Sequence, residues 1–156
     1  MHLQSCITTV ALALAVAVKA DFQIYKVDGY DVLGAEWDGW QVFDGEPSCD
    51  DVNNQYRSLG NSADVSGTPG IRCKGCGDGA TEDDITELEI NGDDWGHYTI
   101  YKDRGYVLEP AGGGATAGSC TYDTGDDFTC TGAVTTSGKR AFKCTSALGG
   151  IRARGA

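Results

Sequence analysis

Cysteine placement constrains this chain more than any other feature. Seven cysteines stand in 156 residues, at Cys6, Cys49, Cys73, Cys76, Cys120, Cys130 and Cys144. The first belongs to a stretch of different chemistry. Ile7 to Val18 carries no charge, is dominated by Ala, Val and Leu, and falls short of the roughly 20 apolar residues a bilayer span needs. It ends in Val18-Lys19-Ala20 before Asp21, the small-residue pattern that a signal peptidase reads. Residues 1–20 therefore read as a signal peptide, and the protein as secreted and extracellular. Cys6 is lost with the signal. An even six remain, which in a short exported chain predicts three disulfide bonds with 15 pairings open. Each would stabilise the fold by about 2–4 kcal/mol.

Period-two alternation marks the rest of the chain as strands. Phe22–Val27 is the first. Val32–Asp44 reads as a hairpin closed by Asp38-Gly39, a dipeptide that tolerates the positive φ angles of a type I′ turn. Folding there sets Trp37 opposite Trp40 and Ala35 opposite Val42, and gathers Leu33, Ala35, Trp37, Trp40 and Val42 on one face. Ser48 followed by Asp51 can cap a helix start, and Cys49, Val52, Tyr56 and Leu59 recur at helical spacing up to Gly60. One short helix is expected at about 48–59. Asn61–Gly70 and Gly75–Asp84 read as loops. Further strands are expected at Ile85–Ile90, His97–Lys102, Tyr106–Glu109, Ser119–Asp123, Asp127–Gly132 and Lys139–Thr145. The fold class is α+β, mostly antiparallel β, in one disulfide-stapled domain over 21–147. Residues 148–156 read as a basic flexible tail.

The last three strands carry a cysteine each. A turn at Gly125 sets Cys120 opposite Cys130, and a turn between Thr136 and Ser137 sets Cys130 opposite Cys144. The three sulfurs then form one row, with Tyr122, Phe128 and Phe142 on the same face. Since Cys130 bonds one neighbour only, Cys120 or Cys144 is expected to reach Cys49, Cys73 or Cys76.

Charge narrows the partners. With 23 acidic against 12 basic side chains the formal net charge is −11. Such a surface repels nucleic-acid phosphates and anionic lipid, so neither a generic nucleic-acid partner nor a membrane is expected. Past residue 127 the balance inverts, with Lys139, Arg140, Lys143, Arg152 and Arg154 and no acid. Lys139-Arg140 matches a dibasic processing site, which a strand at that place would block.

Few residues point to chemistry. Cys73-Lys-Gly-Cys76 has the spacing of redox and zinc sites. Zinc would want two more ligands and only His97 is at hand, so the pair reads as structural, with no metal and no cofactor. His97, Glu87 or Glu89, and Arg104 on neighbouring strands have the residue types of a small secreted ribonuclease: glutamate as base, histidine as acid, arginine on the developing phosphorane charge. Trp37 and Trp40, paired across the hairpin, would form a platform for sugar rings, with Trp95 as a third indole.

The segments Ile71-Arg-Cys-Lys-Gly-Cys-Gly77, Glu87-Leu-Glu-Ile-Asn91 and Gly96-His-Tyr-Thr-Ile-Tyr-Lys-Asp-Arg-Gly-Tyr106 resemble small secreted cysteine-rich proteins of filamentous ascomycete fungi. The resemblance implies an effector-like or elicitor-like role, without catalytic residues to transfer. The leading expectation is a non-catalytic protein acting by surface recognition of an extracellular protein or a cell-wall glycan. A ribonuclease-like hydrolase around His97 and a wall-glycan binder using Trp37 and Trp40 are the alternatives.

Overall fold

A strand buried on both faces organises the molecule. In the computed structural model, which describes residues 20–77 and 80–154, β1 (Ala20–Asp31) pairs antiparallel with β2 (Glu36–Phe43) on one side and with β9 (Val134–Ser146) on the other. Phe22, Ile24, Tyr25 and Val27 are all fully buried, so side chains pointing both ways find apolar cover. The signal peptide read at residues 1–20 lies outside the described residues except for Ala20, whose backbone opens β1.

The remaining strands are β3 (Gly70–Lys74), β4 (Glu87–Asn91), β5 (His97–Tyr101), β6 (Val107–Pro110), β7 (Gly118–Tyr122) and β8 (Phe128–Cys130). They form one antiparallel sheet in the order β2-β1-β9-β7-β6-β5-β4-β3, with β8 also on β9. The edges nearly meet. Leu59 bridges Trp40 of β2, and Asn61 bridges Ile71 of β3, so a single extended segment joins the sheet into a nearly closed barrel. Phe22, Ile24, Trp40, Val42, Leu88, Ile90, Ile100, Leu108 and Phe142 belong to the core inside it.

A second core lies outside the wall of β1, β2 and β9. Tyr25, Val27, Phe43, Val52, Tyr56 and Cys130 pack there, with Phe128 and Trp37 at the margin. One irregularity creates both cores. Ile24 pairs with Phe142 but Tyr25 pairs with Arg140, leaving Ala141 as a bulge. An extra residue reverses the face that alternate side chains address. Phe142 and Cys144 therefore point into the barrel, and Thr136, Gly138 and Arg140 point to the outer core. Arg140 is buried, yet its guanidinium reaches Asp123 at 2.5 Å, Asp126, and the Gln23 side-chain oxygen at 3.0 Å. The dibasic pair thus sits inside β9. Burial also pushes the neighbouring Tyr25 hydroxyl up to about 12, against the opposing pull of Arg140.

Four local expectations change. The β1–β2 turn is not at Asp38-Gly39, which lie within β2 opposite Asp28 and Val27. It spans Asp31–Ala35, where the Asp31 carboxylate accepts the N–H groups of Leu33 (2.8 Å) and Ala35 (2.9 Å) and Gly34 takes φ +83°. Local turn chemistry loses to the β1 ladder, which continues to Asp31 because β9 supports it throughout. The helix expected at about 48–59 shortens to a turn ending in the wide-wound segment Asp51–Gln55. Its start is as expected: the Ser48 N–H and hydroxyl donate to Asp51, and the Asp51 N–H donates to Ser48 Oγ. Tyr56 and Leu59 leave the helix because their backbones are claimed by Arg152 and Trp40.

The cysteine row also breaks. Cys120 faces Cys144 across β7 and β9 and bonds it, whereas β8 sets Cys130 opposite Thr136 on the outer side, where it bonds Cys49. Cys73 bonds Cys76. Neither Cys120 nor Cys144 reaches the first half of the chain. Cys49–Cys130 makes that link instead, tying the helical turn to β8.

Finally, residues 148–154 are docked, not a free tail. Ile151 is buried, its N–H donates to Val42 O (2.9 Å), and it accepts from Arg57 N (2.9 Å). Asp44 receives the Gly150 N–H at 2.5 Å, the Tyr56 hydroxyl at 2.8 Å and Arg152 at 2.5 Å; Asp93 binds Arg57 and Arg154. The basic charges of this segment are drawn to the acidic body. A Cβ on Gly150 would stand 2.4 Å from the Tyr56 ring and 2.7 Å from Val42 O, so only glycine allows this approach.

Two outcomes are expected. Cys49–Cys130 closes a separation of 81 residues and Cys73–Cys76 one of three. On the chain-entropy model the Cys49→Ala/Cys130→Ala variant should lose roughly 4 kcal/mol in urea denaturation, and the Cys73→Ala/Cys76→Ala variant roughly 1.5 kcal/mol. The second concerns pH. Burial works to raise the Asp44 carboxyl, but the bonds from Gly150, Tyr56 and Arg152 outweigh it and hold it low; the bond from Arg57 and the charge of Arg154 hold Asp93 low. Their contribution is complete above the ordinary aspartate range and is lost as pH falls through the lowered values. Lowering the pH should therefore reduce the hydrogen-exchange protection factors of the Gly150, Ile151 and Ala153 amides, each taken against the intrinsic rate at that pH, before the barrel unfolds.

Candidate functional site

On the outer face of β3, β4 and β5, alternation turns Arg72, Lys74, Glu87, Glu89, His97 and Tyr101 away from the core while Ile71, Leu88, Ile90 and Ile100 point inward. The register makes a charged row. His97 Nε2 lies 2.7 Å from Glu89 Oε1; Arg72 Nε donates to Glu89 Oε2 at 2.5 Å and its terminal nitrogen to Glu87; Lys74 Nζ donates to the other Glu87 oxygen at 2.7 Å. Burial tends to raise the Glu87 carboxyl, but Lys74 and Arg72 more than reverse this and hold it low. Glu89 raises Arg72 further by its hydrogen bond.

Of the expected ribonuclease residues, His97, Glu89 and Glu87 fall in this row, and Arg104 does not. Arg104 stands over the Tyr101 ring at 4.1 Å and pairs with Glu109 at 2.7 Å. The arginine beside the histidine–glutamate pair is Arg72, which the sequence reading left out. Its signal was available in the Arg72-x-Lys74 alternation facing Glu87-x-Glu89 across one hairpin. A cleft of about 480 Å³ is lined by Thr86, Glu87, Tyr101, Lys102, Asp103 and Arg104, and one of about 500 Å³ opens beside Lys26, Asp38, Asn61 and the Cys73–Cys76 bridge. His97 lines neither.

The tryptophans do not form a platform. Trp40 is fully buried in the barrel, where its indole N–H donates to Asn61 Oδ1 at 2.8 Å. Trp37, three residues away on the same strand, faces the opposite side and covers Gly29. Trp95 packs edge-on to Phe22 at 5.6 Å and donates to Gly149 O at 2.7 Å. The face chemistry that suggested pairing came from the misplaced turn. Among the described residues, no group of three or more His, Cys, Asp or Glu side chains is arranged to hold a metal ion, and no helix is long and apolar enough to cross a membrane.

The charged row is a structural brace that can be tested. Arg72→Met leaves Glu87 and Glu89, both mostly covered, sharing fewer cations. It should cost about 1 kcal/mol at neutral pH, modest because the rim of the row meets water. Since the lowered Glu87 value means stability present above the ordinary glutamate range and lost below it, the gap between wild type and variant should close on acidification. In comparisons with known proteins, the chain matches no protein-family model, no curated protein and no solved structure.

Proposed function

We propose that this is a secreted protein that acts outside the cell by surface recognition, without catalysis, in the manner of an effector-like host-interaction protein. The filled barrel carries this reading. Aromatic and branched side chains occupy the interior from Phe22 to Phe142, so the strands enclose a packed core and any ligand must be met on the outer surface. Three disulfides suit a chain of this size that works in an oxidising compartment. The candidate general acid–base residue His97 is engaged with Glu89 in a row whose cations are also partnered.

One observation favours a second reading. A histidine 2.7 Å from a glutamate that also binds an arginine has the parts of a phosphoryl-transfer site, and a ribonuclease-like activity would use Glu89, His97 and Arg72 instead of Arg104. The test is direct. Correctly oxidised protein should leave single-stranded RNA and cell-wall glycans intact over hours, and His97→Ala should show the same null result with an unchanged melting temperature within a few degrees. RNA turnover that disappears in both His97→Ala and Glu89→Gln would replace recognition by hydrolysis as the function.

A further inference from the structure

The large apolar side chains exposed among the described residues are Tyr30 (54 %), Val32 (81 %), Leu33 (90 %) and Val134 (39 %). Tyr30, Val32 and Leu33 are near neighbours in sequence, and β9 brings Val134 alongside them. Asp31 pairs with Val134 and Tyr30 with Thr135 on β9, while Tyr30 also pairs with Glu36 on β2. All four therefore lie at the turn end of the β1–β2 hairpin, Val32 and Leu33 in the turn itself and Tyr30 and Val134 on adjacent rungs that face opposite sides of the ladder. Single exposed apolar residues are ordinary on a protein surface; the adjacent and almost fully exposed pair Val32 and Leu33 marks a contact site.

The tip is also held in place. Besides the two N–H groups bound by the Asp31 carboxylate, Asp31 N–H donates to Ala35 O and Gly34 N–H to Asp31 O, both at 3.0 Å. A loop fixed before binding loses little freedom on docking. Its rim is acidic. Asp28, Asp31, Glu36 and Asp38 flank the apolar pair, and no Lys, Arg or His occurs from Val27 to Asp44. Among the described residues these four carboxylates form no ion pair; Asp31 is held by its own turn and Asp38 accepts from Asn61 Nδ2, while Asp28 and Glu36 face outward without a cation.

We propose that the hairpin tip is the docking surface of this protein and that its partner is a basic extracellular protein. Leu33 and Val32 enter an apolar pocket on that partner, and the unpaired acidic rim faces its lysines and arginines. The inference rests on the recognition reading above and names its surface and partner class. Charge excludes the other occupants. An anionic lipid surface is repelled by the rim, and in a two-fold dimer through the tip each rim would face its own copy.

The experiment uses the full oxidised chain, immobilised and exposed to apoplastic fluid and wall extract, beside the variant Val32→Ser/Leu33→Ser. Both altered side chains are exposed, so the melting temperature and disulfide content of the variant should equal those of the wild type. Proteins retained by the wild type alone are identified, purified and tested for direct binding. The expected result is a basic protein whose affinity falls by about tenfold or more in the tip variant, and whose association slows and loses salt dependence in Asp28→Asn/Glu36→Gln. A purified partner bound equally by wild type and tip variant overturns the proposed surface and leaves the recognition reading standing. Tip-dependent binding to phosphatidylserine vesicles, tip-dependent self-association, or no protein released by the tip substitutions each overturns the proposed partner. RNA turnover abolished in both His97→Ala and Glu89→Gln overturns the recognition reading itself.

Discussion

The β1–β9 ladder, which pairs every residue of β1 and carries a bulge at Ala141, is the contact on which the rest depends. Because it joins the beginning of the described chain to its end, it converts a series of local hairpins into one continuous wall. The bulge then gives that wall two apolar sides. Without the extra residue, Phe142 and Cys144 could not share the barrel interior with Phe22 while Arg140 and Thr136 served the outer core. The Cys120–Cys144 bond inside and the Cys49–Cys130 bond outside follow from this switch.

Electrostatics completes what packing begins. An acidic chain of this size would repel itself, and several of its cations sit where strands or segments must be held: Arg140 beneath Asp123 and Asp126, Arg72 between Glu87 and Glu89, Arg152 and Arg154 on Asp44 and Asp93. The segment 148–154 is held this way, with Ile151 as its apolar anchor. Carboxylates without an ion pair remain along the described chain, and Asp28, Asp31, Glu36 and Asp38 at the hairpin end are among them. The same acidity that these pairs offset in the body remains at the hairpin end, the docking surface proposed above.

Alternation and cysteine parity made the strand content and the number of disulfides legible. Phe22–Val27, His97–Lys102 and Lys139–Thr145 all fall in strands that extend or trim their expected limits by a few residues. The hairpin failed for an instructive reason. Asp38-Gly39 is a good turn dipeptide, but a turn contributes little against eight rungs of β1–β2 pairing backed by β9. That slip paired Trp37 with Trp40 and concealed the exposed position of Leu33. The helix failed similarly, since Tyr56 and Leu59 have helical spacing and are taken up as bridges by partners distant in sequence. At the candidate site, neighbouring strands could bring Glu89 and His97 together, and the Arg72-x-Lys74 alternation facing Glu87-x-Glu89 could do the same for Arg72; only the β3–β4 register fixes which carboxylates it meets.

The amino-acid order by itself determined the β-rich character, the placement of the cysteines, the acidic balance of charge and the cap at Ser48 and Asp51, because each arises from contacts within a few residues or from counting. Only the tertiary structure decided the disulfide partners, the two cores, the docking of residues 148–154 and the exposure of Leu33. These depend on register between segments up to a hundred residues apart, and a single bulge at Ala141 changes which face every neighbouring side chain occupies.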